Sequence, residues 1–186
     1  MVLKNLVTLT DEELQDIVLK KQLEYIKLCQ DDFLIFVQEV WPDFIYRNTN
    51  KKDEWGHHQI IANEFTKIAS KDLKRLIVNM PPRHTKSEFA SYLFPAWMIG
   101  RFPKMKIMQV SHNAELASRF GSKVRNLMDT PEYKQIFGDV KLREDSKAKG
   151  RWETNHGGEY FAAGVGGSIT GRGADLLIID DPHTEQ

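Results

Sequence analysis

The chain carries a single cysteine, Cys29, among 186 residues. No internal disulfide can form, so the fold has to be held by a packed core, and a reducing compartment suits it. No apolar run approaches the roughly 18 residues needed to cross a bilayer, and the polar N-terminal stretch lacks the apolar segment of a secretory leader; neither a membrane helix nor export is expected. Excess charge is also missing: 26 Lys/Arg balance 26 Asp/Glu. The molecule as a whole therefore neither advertises nor excludes a polyanionic partner. Internal repeats and low-complexity segments are absent. His84, His112, His156 and His183 are scattered without ligand spacing, which argues against a zinc site.

Hydrophobic residues make up 41% and charged residues 28% of the chain, an ordinary globular composition. The length fits one domain, or one domain with a small appendage. The balanced charge hides an asymmetry. Residues 1–50 hold five Lys/Arg against nine Asp/Glu, so the remainder is net positive. The densest basic stretch, Lys141 to Arg151, has five basic residues against two acidic ones. It reads either as a solvated loop or as a contact for a polyanion.

Thr10-Asp11-Glu12-Glu13 has the form of a capping box, and the helix it opens runs to about Cys29 with Leu14, Ile17, Val18 and Tyr25 near helical spacing. Asp31 or Asp32 starts a second helix through Phe33, Phe36, Val37 and Val40, which Trp41-Pro42 stops. The polar segment 47–54 reads as a linker, giving a helical N-terminal segment, 1–46, and a main domain, 47–186. In the main domain, helices are expected over 57–69, 86–99 and 113–128, with a short one from Thr130-Pro131 to Phe137. Strands are expected over 75–80, 106–110 and 175–180, with a hairpin of 151–154 and 159–163 closed by Gly157-Gly158. Strands alternating with helices indicate an α/β sandwich with a mostly parallel sheet.

Two stretches carry the chemistry. Arg75-Leu76-Ile77-Val78 leads through Asn79-Met80-Pro81-Pro82-Arg83-His84-Thr85 into Lys86-Ser87, a strand, loop and helix start. Such a loop can turn backbone N–H groups onto phosphate oxygens, with Lys86 for the terminal phosphates and the Ser87 hydroxyl for Mg²⁺. The customary glycines are missing: Met80 and Thr85 stand in their positions. Arg83 adds a charge that can meet the γ-phosphate. The second stretch, Leu176-Leu177-Ile178-Ile179, reads as a strand buried on both faces that delivers Asp180 and Asp181 to the C-terminal edge of the sheet, where ligands bind. Asp180 is then the Mg²⁺ ligand, and Asp181 orients and deprotonates the attacking water.

The run from Asn79 to Glu88, followed by Gly166-Gly-Ser-Ile-Thr-Gly-Arg-Gly-Ala-Asp-Leu-Leu-Ile-Ile-Asp-Asp-Pro182, resembles the ATPase domain of the large terminase subunit of tailed bacteriophages over about residues 30–186. The resemblance implies a P-loop three-layer sandwich, with Pro82, Arg83, His84, Thr85, Lys86 and Ser87 around ATP and Mg²⁺. Many members of that family have glycine where this chain has Thr85. The resemblance also implies that Trp55-Gly56-His57-His58-Gln59 approaches the adenine through His58 and Gln59. A neighbouring subunit's arginine would complete the site in a ring, with Arg119 and Arg125 the candidates. Implied partners are double-stranded DNA, the portal protein and the small terminase subunit, on a procapsid in the cytoplasm of an infected bacterium. The family continues past the acid pair with a coupling motif and a nuclease domain, so this sequence reads as a truncated or split large terminase without nuclease activity. Competing expectations are a superfamily-2-type helicase fragment and a catalytically idle fragment that binds without turnover.

Overall fold

The structure, a computed structural model, describes residues 10–43, 56–167, 169 and 171–183. Helix α1 (Asp11–Asp31) begins as its sequence requires: the Glu13 amide donates to the Thr10 hydroxyl, and the Thr10 amide donates to the Glu13 carboxylate at 2.8 Å. Asp32 stops α1 and caps α2 (Phe33–Val40), its carboxylate accepting from the Leu34 and Ile35 amides at 2.8 and 3.0 Å. Each cap satisfies helix-end donors that would otherwise lack partners. Val18 and Tyr25 on α1 are exposed, so the helical spacing there does not mark a buried face. The proposed boundary between residues 46 and 47 lies outside the described residues.

Helix α2 supplies the centre of the core. The Phe33 ring packs against Phe65, Phe89, Phe94 and Trp97 at centroid distances of 5.4 to 5.7 Å. Phe65 comes from α3 (His57–Ala69), Phe89 from a π-helical turn (Glu88–Leu93) and Trp97 from α4 (Phe94–Arg101), which follows it without a break. Trp97 spends its indole N–H on the Cys29 carbonyl at 3.1 Å, so a large ring is buried without stranding a polar group. Burial also pushes the Cys29 thiol up to about 11, which keeps it protonated and unreactive at neutral pH.

The sheet has five strands in the order β2-β3-β4-β1-β5: β1 (Lys106–Ser111), β2 (Leu142–Ala148), β3 (Arg151–Thr154), β4 (Glu159–Gly164) and β5 (Leu176–Ile179). β1 pairs in parallel with β4 and β5, while β2–β3 and β3–β4 are antiparallel. The sheet is therefore mixed, and the expectation of a mostly parallel one is corrected. Its antiparallel half is the anticipated hairpin, turned by Gly157 at φ 84°, with β2 added outside it. That outer strand covers most of the basic stretch 141–151. Two cations of the stretch are paired, Arg143 of β2 with Asp145 and Glu153, and Arg151 of β3 with Glu159. Helix α5 (Ala114–Met128) packs on β4 and β1, and the short α6 (Pro131–Phe137) follows it.

Two further expectations are corrected. Residues 75–80 have no regular secondary structure and form no strand of the sheet, and Ile77 is 85% exposed. Among the described residues, their amides donate no backbone hydrogen bond. The strand expected to be buried on both faces, β5, is an edge: only Ile178 is buried, while Leu177 and Ile179 are more than half exposed. The cause is common to both. An apolar groove of about 1130 Å³, lined by Leu76, Val78, Phe94, Met98, Leu176 and Ile178, separates the two segments. An apolar run becomes a strand only when a neighbour meets its backbone groups, and across this groove neither meets the other.

Candidate phosphate-binding site

The site forms where the C-terminal ends of β1 and β5 meet the loop 81–85 and the helix start at Lys86. The β5 chain carries on past Ile179 in register: the Asp180 amide donates to the Val110 carbonyl at 2.9 Å, and the His112 amide donates to the Asp181 carbonyl at 3.1 Å. These bonds pin both acids to the end of β1. Asp180 points inward and is 5% exposed, while the Asp181 side chain is 59% exposed.

Lys86 reaches across to both. Its ammonium lies 2.7 Å from Asp181 Oδ1 and 3.8 Å from Asp180 Oδ1. The hydrogen bond to Asp181 is the main cause that raises the lysine pKa above its usual value, with burial opposing it. Lys86 and the acid pair, read together from the sequence, converge on one point. A cation held between two carboxylates at a helix N-terminus marks a spot where positive and negative groups can be exchanged for an anionic ligand and its counter-ion.

Asp180 is held from behind by residues that the sequence did not single out. The Ser91 hydroxyl donates to Asp180 Oδ2 at 2.8 Å, and the Gln109 side-chain amide donates to the same hydroxyl at 3.0 Å. Ser91 and Gln109 are both fully buried. Ser91 sits on the π-helical turn, one turn after Ser87; single-turn π segments are frequent at functional sites. Ser87, expected beside the metal, is half-buried in the first helical turn and has no hydrogen bond to either acid among the described residues. The signal for Gln109 was a polar residue in the middle of an apolar strand, and Ser91 likewise interrupts an apolar helix face.

The loop is strained. Arg83 and Thr85 both have φ 65°, and Asp181 has φ 44°. For non-glycine residues this left-handed region costs about 1–2 kcal/mol each, and such outliers cluster at active sites. Pro82 is exposed, and its carbonyl accepts from His84 Nδ1 at 2.9 Å. Arg83 and His84 are exposed on the same turn, Arg83 within the loop that faces solvent.

The residues expected near adenine divide. His58 is fully buried, its ring stacked on Phe89 at 4.8 Å and its Nε2 2.9 Å from the Thr85 hydroxyl. It lies against the loop from inside the core, and its ring is out of reach of solvent. Gln59 is half-exposed and donates to Asn63 at 2.9 Å along its own helix. Trp55 lies outside the described residues, as do Ser168 and Thr170 of the glycine-rich loop.

The two arginines of α5 differ in direction. Lys123 binds Glu88 at 2.8 Å, beside the start of the loop helix. Arg119, one turn earlier, shares that face and is exposed. Arg125 is half-buried on another face, with one guanidinium nitrogen 3.3 Å from the Asn126 side-chain oxygen. Arg172 of the glycine loop turns away, its guanidinium 4.1 Å above the Phe161 ring and bonded to Glu159.

No cluster of three or more His, Cys, Asp or Glu able to hold a metal occurs among the described residues. The pair Asp180 and Asp181 still fits Mg²⁺, which keeps several waters and takes one or two carboxylates together with substrate phosphates. No helix among the described residues is long and apolar enough to cross a membrane. Compared with protein-family models, curated proteins and solved structures, the chain finds no match in any of the three.

Proposed function

We propose that the chain is a P-loop ATP hydrolase, the ATPase module of a motor that drives double-stranded DNA into a viral procapsid. The observation that carries the reading is the convergence of Lys86 on Asp181 and Asp180 at the end of β5. Lys86 would leave the acids for the β- and γ-phosphate oxygens, and the loop amides at the helix start would hold the same oxygens. Asp180, fixed by Ser91, would bind Mg²⁺, which supplies charge neutralisation on the transferring phosphoryl group. Asp181, exposed and next to the freed lysine position, would align a water and accept its proton. Arg83 would meet the γ-phosphate, and Arg119 is favoured over Arg125 as the arginine offered to a neighbouring subunit.

The motor itself, with DNA, portal protein and small terminase subunit as partners and the cytoplasm of an infected bacterium as location, rests on the resemblance of the loop and acid-pair sequences to phage large terminases. A second reading, an idle module that binds without turnover, is favoured by one observation: residues 75–80 stand outside the sheet, so the phosphate loop lacks an anchored strand before it. Equilibrium binding and turnover of ATP with Mg²⁺ test the pair. The ATPase reading expects binding that Lys86→Ala abolishes and that loses its Mg²⁺ dependence in Asp180→Asn. Binding without turnover supports the idle module, and no binding by the folded chain sinks both. For DNA, replacing Lys141, Lys147 and Lys149 should flatten the salt dependence of binding, and an unchanged slope removes those residues from the interface.

A further inference from the structure

We propose that His58 is a positioning residue of the phosphate loop: from inside the core it holds Thr85, through the Thr85 hydroxyl, in the left-handed turn that aims Lys86. This deepens the ATPase reading and rests on it. Thr85 adopts φ 65°, where glycine is at ease and a β-branched residue is not. Nothing intrinsic to threonine selects that turn, so its surroundings must impose it.

The bonds around Thr85 do so. Its hydroxyl donates to the His84 carbonyl at 2.5 Å, which leaves an oxygen lone pair facing His58 Nε2 at 2.9 Å. His58 must therefore donate from Nε2. Its burial, which lowers the imidazole pKa to about 4, keeps the ring neutral in that role. The ring cannot drift, because Phe89 stacks on it at 4.8 Å and His57 lies against it at 4.0 Å. Phe89 in turn donates its amide to the Thr85 carbonyl at 3.0 Å and packs on Phe33. Helix α3 thus grips both ends of the turn, the hydroxyl of Thr85 and the ring of Phe89. A hydroxyl and an imidazole together do what a glycine does alone in other phosphate loops.

The test compares His58→Leu, which removes the donor, with His58→Gln, whose amide can donate from near the Nε2 position, each with Thr85 and with Thr85→Gly. Two readouts are taken: Mg·ATP affinity and hydrogen exchange of residues 82–88. With Thr85 present, His58→Leu should weaken Mg·ATP about ten-fold and speed exchange across the loop, while His58→Gln retains most of both. With Thr85→Gly, His58→Leu should change neither. Equal losses in the two backgrounds would reduce His58 to a packing residue and overturn the proposal. Should His58→Leu fail to fold, Thr85→Val against Thr85→Ser asks the same question from the other partner. Only the valine should loosen the loop, and equal exchange in the two overturns the idea. If the parent chain binds no Mg·ATP, the ATPase reading fails, and the exchange data alone still decide the clamp.

Discussion

Ser91 donates its hydroxyl to Asp180 across 2.8 Å, joining the helix after the loop 81–85 to the strand that ends in the acid pair. Both partners are buried and Gln109 completes the chain behind them. Removing the hydroxyl leaves a buried carboxylate and a buried amide short of a partner. Ser91→Ala should therefore destabilise by roughly 1–3 kcal/mol. A urea titration should show a lower midpoint at unchanged slope. Ser87→Ala, at a half-buried position without such a bond, should stay within about 0.5 kcal/mol of the parent.

His58 makes stability depend on pH in a defined window. Burial lowers its folded pKa to about 4, below the ordinary imidazole value of 6.5, so the unfolded chain binds the extra proton between those values. Stability should rise with pH from 4 to 6.5 and be fully present above it. The loss on acidification is on the order of 2–4 kcal/mol, at about 1.4 kcal/mol per pKa unit. Thermal unfolding at pH 7 and pH 4.5 reads the effect, and His58→Gln should flatten its share of the difference. An identical pH profile in the variant would show that other groups carry the acid sensitivity.

Phe33 touches four aromatic rings from three later segments of the chain. Phe33→Ala should cost about 3–5 kcal/mol through lost transfer energy and a residual cavity. Asp32→Ala, which removes only the cap of α2, should cost about 1 kcal/mol. Chemical denaturation of the two neighbours therefore separates packing from capping.

The open edge of β5 should make the chain self-associate. Leu177 and Ile179 are 54% and 58% exposed on a strand that, among the described residues, pairs on one side only, the arrangement that promotes edge-to-edge pairing. Sedimentation velocity should show association that grows with concentration and that Leu177→Lys suppresses. A monomer at all concentrations would show that the exposed edge does not drive association.

Local chemistry was enough to read much of this protein. The Thr10-Glu13 cap, the Asp32 restart, the hairpin around Gly157 and the helix beginning at Asn113 depend on interactions within a few residues, and those are written in the sequence. Lys86 and the pair Asp180-Asp181 were legible for the same reason, since a loop before a helix and acids after an apolar run are local patterns. Pairing and burial were not. Whether 75–80 joins a sheet, whether β5 has one neighbour or two, and whether 141–151 is a loop or a strand are decided by which backbone lies alongside. His58 illustrates the point most directly. As a residue at a helix start it looked available to a ligand, but only the packing of α3 against Phe89 turns it inward to Thr85. Sequence determined which groups are present and how each turn begins; tertiary structure decided which of them meet, because contacts between distant segments depend on the whole core closing at once.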